Sequence, residues 1–564
     1  MKSLFEKRPF KIRNAEEFEL NQVLSLFVHP SGELRNPFEF ENSIVKGRMG
    51  TGKTMYLKAN HAYYLYTLVP SIVEKAPLIL PVYIRLSDFQ QHREPEDVYR
   101  AVILKIIEEL SSIYHYLGDA RKLAVIHQGL RAWPEELSIS EPIRELTKKL
   151  LKLNAEEYTE TVNQSLGLTG GMHPKFFDLS AKYEEGAAVE VRAKKQPGIN
   201  DVFDAYKMLL SESGGKILIL LDEAGSLNKS FFKQGSETPF FEVLMNQLRT
   251  AEYIRTKIAV YPQSYSDILT ETRYGDMIML NDNVSDEAGY SNFRDKSLQL
   301  ITRYLTTAND GVAVSPEQVF EVEENDGCGI EQLINASGGN MRRFTHLLDL
   351  SMTESYARDG GLSRVGIADV LSVLNKHANS MKEMYTEQDR NFLGAIAKAC
   401  RARGTYKFQF PYKAPVLSKY ISKSEEYNVL SISEMGGGRR GTTYAFDYAY
   451  SVNNDIPTHY LHKTEKIDKS RSRKTGGWIP RVATISEGLL KHANIPGKIE
   501  GTIGMFWTEK AYGFLTGDDG NEYFLTSTQV VDFDKDKALA SGKRVRFFPG
   551  RLDDGKFALA VEVL

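Results

Sequence analysis

Four short apolar runs stand out along the first half of the chain: Ser43-Ile44-Val45, Pro81-Val82-Tyr83-Ile84-Arg85-Leu86, Ile217-Leu218-Ile219-Leu220-Leu221 and Lys257-Ile258-Ala259-Val260-Tyr261. Runs of this length without polar alternation predict strands buried on both faces, as in a parallel sheet. Between them, Met55-Tyr56-Leu57-Lys58-Ala59-Asn60, Val102–Ser112 and Pro142–Leu153 carry apolar residues at helical spacing. Leu166–Pro197, with its Gly-Gly, Gly-Ala-Ala and Lys-Lys-Gln-Pro signals, predicts a loop-rich insertion. The texture changes after Thr386. Gln388–Arg401 and Lys413–Ser424 predict helices. Val429–Ser433 and Thr442–Tyr448, flanking Met435-Gly436-Gly437-Gly438-Arg439-Arg440-Gly441, predict a hairpin with a glycine-arginine tip. In the last seventy or so residues, short β-runs at even spacing with Asp-Gly turns predict a small β-barrel.

Composition narrows the class. The chain has 564 residues, about four domains' worth. Its 42% hydrophobic and 26% charged residues are those of an ordinary globular chain, which excludes collagen-like and wholly disordered classes. Two cysteines, Cys328 and Cys400, are too few for a disulfide framework or a Cys-rich zinc site, so a reducing, cytoplasmic setting is expected. The longest apolar runs fall far short of a membrane span and the first residues lack an apolar signal core, so no membrane partner is expected. A formal net charge of −3 argues against a chain that coats nucleic acid by bulk charge. That average conceals a basic segment: His462–Arg481 carries a net +5 around Lys469-Ser470-Arg471-Ser472-Arg473-Lys474, enough to add salt-sensitive phosphate attraction.

The most specific chemistry lies in Gly47-Arg48-Met49-Gly50-Thr51-Gly52-Lys53-Thr54, between a predicted strand and a predicted helix. It matches the phosphate-loop spacing of two glycines with four residues between them, followed by Lys and a hydroxyl residue. Gly47, Gly50, Thr51 and Gly52 let backbone N–H groups turn toward an anion, and the helix starting near Lys53 adds its positive end. Lys53 is the candidate for the β- and γ-phosphates of ATP, and Thr54 for magnesium (Mg2+). The complementary acids are Asp222-Glu223, at the carboxyl end of the Ile217–Leu221 strand, where open α/β sheets bind ligands. Asp222 is the candidate metal-side carboxylate and Glu223 the group that polarises the attacking water.

The order of glycine loop, Asp-Glu strand and a third strand ending in Pro262-Gln263-Ser264 resembles the AAA+ ATPases. That resemblance implies a polar sensor at the strand tip, Gln263 or Ser264. Ser337-Gly338-Gly339-Asn340-Met341-Arg342-Arg343-Phe344 resembles the second sensor element of the helical lid, best in the initiator (origin-recognition-type) clade. It implies Arg342 as the γ-phosphate sensor, with Arg343 beside it in register. An arginine acting across a subunit interface is implied too, with Arg273 or Arg294 as candidates. The clade commonly carries a winged helix after its lid, which places Arg439 and Arg440 at a wing tip where phosphates are contacted.

A second resemblance covers the C-terminus. Gly501-Thr502-Ile503-Gly504-Met505-Phe506-Trp507-Thr508-Glu509-Lys510-Ala511-Tyr512-Gly513-Phe514-Leu515, with Asp518–Leu525 and Ser541–Phe547, resembles a cold-shock domain. It implies a single-strand-binding platform of Phe506, Tyr512, Phe514 and Phe524, with Lys510 near the phosphates. Two positions depart from the family pattern: Met505 stands where its first-strand Trp falls, and Thr526 where its His falls. Residues 497–564 also carry a net −2.

The expected fold class is multidomain α/β: a P-loop parallel sheet with a helical lid, then a winged helix, then a small OB-type barrel. The expected domains are an ATPase core over 1–284 with an insertion at about 100–200, a lid over 285–380, a winged module over 381–455, a basic linker over 456–496 and the barrel over 497–564. The expected function is an ATP-binding and ATP-hydrolysing switch that engages nucleic acid, single-stranded DNA or RNA, and assembles as a homo-oligomer. Two alternatives stand beside it: a signalling ATPase of a bacterial defence system gating a protein effector, and a replication-initiator-type loader. The absence of His-Glu-x-x-His and Gly-x-Ser-x-Gly patterns argues against nuclease or protease chemistry.

Overall fold

A computed structural model describes residues 2–29, 36–74, 76–92, 94–112, 198–210, 214–227, 231, 240–261, 274–284, 287–321, 328–409, 417–421, 428–434, 442–458, 482–485, 498–527, 530, 539–552 and 555–564. Two compact units emerge. One comprises Ile12–Asn281 and Gln299–Val312; the other comprises Met1–Lys11, Asp282–Leu298 and Ala313–Leu564.

The first unit is built on a five-stranded, all-parallel sheet. Its strands are β1 (Ser43–Lys46), β2 (Ile79–Arg85), β3 (Lys216–Asp222), β4 (Ile254–Val260) and β5 (Asp276–Met279), in the order β2-β3-β4-β1-β5. The apolar runs of the sequence are its first four strands, three of them central and β2 at one edge. All five apolar residues of β3 are fully buried, as are Ile44 and Val45 of β1, because helices cover both faces of a parallel sheet. The helix Lys53–Glu74 follows β1 directly, and Pro95–Ser112, Ile199–Leu209 and Phe240–Thr250 pack Val102, Val202 and Leu244 into the same core. β1 and β3 are separated by β4, so the loop after β1 and the acids after β3 reach the carboxyl edge of the sheet on either side of the end of β4. Open α/β sheets place ligands at such an edge.

In the second unit the helix Gly329–Ser337 ends at Gly338, and Met341–Asp359 begins after Asn340, whose side chain accepts from the Arg343 amide. Gly338 and Gly339 both have positive φ, and a Cβ on Gly339 would stand 2.2 Å from the Asp282 carbonyl oxygen, so glycine is required there. The helix Glu387–Arg403, a short helix Ser418–Ile421 and a hairpin of β7 (Leu430–Glu434) and β8 (Thr443–Phe446) follow along the chain. The sheet here has four strands, because β6 (Lys407–Gln409) and β9 (Ala483–Thr484) extend it in the order β7-β8-β6-β9. β9 falls inside the segment 456–496 expected to be a linker; two residues are too few for strand alternation to show.

The C-terminal strands close into a barrel, as expected for an OB-type fold. They are β10 (Ile499–Trp507), β11 (Tyr512–Gly517), β12 (Glu522–Thr526), β13 (Arg544–Leu552) and β14 (Gly555–Val563), joined β10-β11-β12-β14-β13. Ile503, Leu515, Leu525, Val545, Phe547 and Val561 fill its interior. No helix among the described residues is long and apolar enough to cross a membrane.

Candidate nucleotide site and barrel face

The glycine loop folds as its spacing predicts. Gly50 and Gly52 adopt φ of 78° and 96°, and the helix starts at Lys53, with the Tyr56 amide donating to the Gly52 carbonyl. A Cβ on Gly47 would lie 2.3 Å from Thr51 Oγ1 and 3.2 Å from Leu280 Cβ, so the loop closes only on glycine. The Thr51 hydroxyl donates to the Arg48 carbonyl, and the Arg48 amide donates to Asn281 Oδ1. Lys53 Nζ donates to the Gly47 and Arg48 carbonyls, each at 2.8 Å, and lies 4.0 Å from the centre of the Tyr261 ring. The ammonium is therefore held inside the loop it would serve.

The second half of the site forms where β3 ends. Asp222 is 1% exposed. Its carboxylate accepts from Tyr83 Oη at 2.8 Å and from the Glu223 amide at 2.8 Å, and the Thr54 hydroxyl lies near enough to favour its charged form. Burial raises the Asp222 pKa, and Tyr83, Thr54 and the Glu223 amide oppose that rise. Thr54 and Asp222, assigned to one metal although 168 positions apart in the sequence, are thus brought near each other. Glu223 occupies the left-handed region at φ 55°, ψ 36°, uncommon for a residue with a Cβ, which turns the chain sharply off the strand.

Tyr83, Glu16, Lys58 and Arg85 complete the cluster and were not singled out in the sequence. The Glu16 pKa is raised, first by partial burial and then by the charge of the neighbouring Glu223. Lys58 Nζ donates to the Ala15 and Glu16 carbonyls at 3.0 and 3.1 Å, tying the Ala15–Glu17 turn to the phosphate-loop helix. Burial lowers the Lys58 pKa; the Glu16 charge opposes this. Arg85 stands opposite Asp222 in the β2–β3 register.

The remaining assignments divide. Gln263, Ser264, Arg273, Arg439 and Arg440 lie outside the described residues, as does most of the 100–200 insertion. Arg342 sits in the first turn of Met341–Asp359. Arg343, its neighbour in the sensor register, is committed elsewhere: it is buried and makes a bidentate pair with Asp447 at 2.6 and 3.0 Å. Asp447 also caps the helix Tyr448–Asn453 through the Ala449 and Tyr450 amides. Arg294, the other interface candidate, pairs with Glu331 at 2.7 Å.

On the barrel, the aromatic side chains separate by face. Phe514 pairs with Phe524 across β11 and β12, and Tyr512 stands two residues along on the same side. The Phe514–Phe524 and Tyr512–Phe524 ring centres are each 5.5 Å apart. Phe506 does not join them. It lies opposite Gly513 and packs against the barrel interior, where a Cβ on Gly513 would meet Phe506 Cα at 2.7 Å. Trp507, which the sequence reading left out, takes the open side opposite Tyr512. Lys510 is exposed in the turn between β10 and β11, its amide donating to the Trp507 carbonyl.

Comparison with known proteins fits this division of the chain. The ORC-CDC6-like family model matches residues 8–109, which hold Glu16, the glycine loop and Tyr83. The glycine loop and part of the parallel sheet lie within that match, so over residues 8–109 the chain is similar to the ORC-CDC6-like family. Over its C-terminal barrel the chain belongs to the cold-shock protein family. Cold shock protein 1 of Lactiplantibacillus plantarum is 38% identical over 61 residues, 11% of this chain and 91% of that protein. Among solved structures, the chain is similar to the Aeropyrum pernix ORC2 protein in ADPNP-ADP complexes, with a TM-score of 0.30, 11% identity and coverage of 74% of this chain and 87% of that one. It is also similar to the Aeropyrum pernix ORC1 protein in complex with DNA, with a TM-score of 0.28, 13% identity and coverage of 74% and 86%.

Proposed function

We propose that the chain is an ATP-dependent molecular switch that engages single-stranded nucleic acid through its cold-shock barrel. The meeting of the glycine loop and Asp222 at one edge of the sheet carries the reading, because it brings Thr54 near Asp222, the two residues assigned to magnesium, although they are 168 positions apart. The donor set suits a hard cation: one hydroxyl and one carboxylate, both oxygen. Magnesium bound there with ATP would neutralise phosphate charge and align the γ-phosphoryl group for transfer to water.

The chain's own residues do the rest. The backbone N–H groups around Gly50 and Gly52 bind the β-phosphate, and Lys53 turns from the Gly47 and Arg48 carbonyls to the phosphate oxygens. Tyr83 holds Asp222 in place through its hydroxyl. Glu223, released from Glu16, accepts the proton of the attacking water, and the Lys58 tie to the Ala15–Glu17 turn makes that release depend on the phosphate-loop helix. Gln263 or Ser264 senses the γ-phosphate, with Arg342 as lid sensor and Arg273 supplied across a homo-oligomer interface. Arg439 and Arg440 add phosphate contacts at the wing. A switch of this kind turns over slowly.

The test is magnesium dependence. ATP binding to the full chain is measured with magnesium and with EDTA, in the wild type and in Thr54→Val. Tighter binding with magnesium in the wild type and no such gain in Thr54→Val is expected. An equal magnesium effect in both proteins would remove the assignment.

A further inference from the structure

Trp507 is 37% exposed at the end of β10. Its ring centre lies 5.3 Å from Tyr512 and 6.2 Å from Phe514. At the opposite side of the patch, Phe557 of β14 pairs with Phe524 in the strand register, with ring centres 5.5 Å apart. The rings therefore cross four neighbouring strands as one band, Trp507, Tyr512 with Phe514, Phe524 and Phe557, in steps of 5.3, 5.5 and 5.5 Å. Residues alternating with them point inward: Gly513, Leu515, Tyr523, Leu525 and Ala558 are buried.

The band owes its first member to an irregularity. Strand alternation from the buried Ile503 would turn Met505 and Trp507 inward and Phe506 outward. The register shift between Ile503 and Met505 inserts Gly504 and reverses this, placing Met505 opposite Phe514 and Trp507 opposite Tyr512. Among the described residues, three cations of the barrel are drawn into ion pairs with its own acids. Arg544 pairs with Glu500 at 3.1 Å and Asp518 at 2.7 Å, Arg546 pairs with Glu500 at 2.8 Å, and Lys498 pairs with Glu562.

We propose that Trp507 and Phe557 are the two ends of a stacking ribbon that holds three or four consecutive unpaired nucleobases, gripped by ring contact rather than by phosphate charge. This rests on the proposed single-strand binding by the barrel and names the ligand's extent and the source of its affinity. Each ring offers a flat apolar face, and bases of any sequence satisfy it. Steps of just over 5 Å are short enough for neighbouring nucleotides of one strand to meet successive rings.

The probe is a seven-residue oligothymidylate against the full chain, with an abasic oligomer of equal charge as comparator. With Trp133 and Trp478 replaced by Phe, the emission of Trp507 reports directly and is expected to be quenched by the oligothymidylate but not by the abasic oligomer. Trp507→Ala and Phe557→Ala should each weaken oligothymidylate binding roughly 5- to 100-fold, as should Phe514→Ala. Neither end variant should change the slope of affinity against salt, whereas Lys510→Ala should make it shallower by about 0.7 if it meets one phosphate. If Phe514→Ala weakens binding while Trp507→Ala and Phe557→Ala do not, the ribbon is overturned and the barrel reading stands. If none of the three weakens binding, both fall. Melting curves of the variants identify any loss caused by unfolding: Trp507→Phe, which keeps a ring, should restore binding, and failure of that rescue with an unchanged melting curve would also overturn the ribbon.

Discussion

The proposed nucleotide cluster and the proposed barrel face would be opposite solutions to binding a charged polymer or its building block. The first buries its charge. Asp222 and Lys53 are almost fully enclosed, and each is satisfied by named partners before any ligand enters. The second keeps its charge in surface ion pairs and offers rings instead. Burial makes a site demanding: a hydrogen bond or charge removed there leaves partners stranded in a low-dielectric setting. An aromatic face is forgiving, because each ring contributes a similar modest increment. The two sites should therefore fail differently, the first abruptly and the second by degrees.

Glu223→Gln gives the largest expected separation of these behaviours. It should lower ATP turnover by roughly a hundredfold or more while leaving ATP affinity and oligothymidylate affinity near the wild-type values. Steady-state hydrolysis and equilibrium titrations of the same preparation check this. A variant that hydrolyses ATP at the wild-type rate would leave Glu223 without a role.

Gly513→Ala is the reciprocal test on the barrel. Its Cβ would stand 2.2 Å from the Met505 carbonyl oxygen and 2.7 Å from Phe506 Cα, an overlap that strand separation alone relieves, at a cost of about 1–3 kcal/mol by analogy with overpacking. Oligothymidylate binding and the thermal transition of the barrel should both fall, and ATP binding should not. An unchanged thermal transition would contradict the close approach of β10 and β11.

The smallest effect concerns Lys257, which lies fully buried in β4 and donates to the Pro37 carbonyl at 2.8 Å and Asn60 Oδ1 at 2.9 Å. Burial lowers its pKa to about 8, against the opposing charges of Glu41 and Glu39. Below pH 8 the ammonium is charged in both states and its burial penalty is complete. Between pH 8 and 10.5 the unfolded chain keeps the proton that the folded chain has lost, so stability attributable to this group rises with pH, by on the order of 2 kcal/mol across the window. Denaturant titrations at pH 7.5 and 10 should show this gain relative to Lys257→Met. An identical pH dependence in the two proteins would show that Lys257 is not held as described.

The two regions were also unequally legible in the sequence. The phosphate loop declares itself locally, since glycine spacing, Lys53 and Thr54 fall within eight residues, and the strand that carries Asp222 is marked by five apolar residues. Tyr83 was hidden because an aromatic inside an apolar run reads as core. Its hydroxyl is revealed as functional only by a partner 139 residues away. Glu16 was hidden for a similar reason, lying in a short turn whose acid gains meaning from Glu223. On the barrel, the resemblance placed Phe506 on the platform, but one inserted residue at Gly504 turns it inward and brings Trp507 out. A single-residue shift leaves composition and overall spacing almost untouched while exchanging the faces of everything beyond it. The arginine pair shows the same limit: the resemblance implies Arg342 with Arg343 a close second, and only the fold shows that Asp447, 104 residues on, claims Arg343.

The central claim is that the loop around Lys53 is an ATP site, and titration of ATP with magnesium into Lys53→Ala tests it most directly. Loss of a charge-assisted contact to phosphate of about 3 kcal/mol predicts affinity reduced on the order of a hundredfold, with the oligothymidylate affinity of the barrel retained in the absence of nucleotide. Wild-type ATP affinity in a folded Lys53→Ala protein would contradict the account.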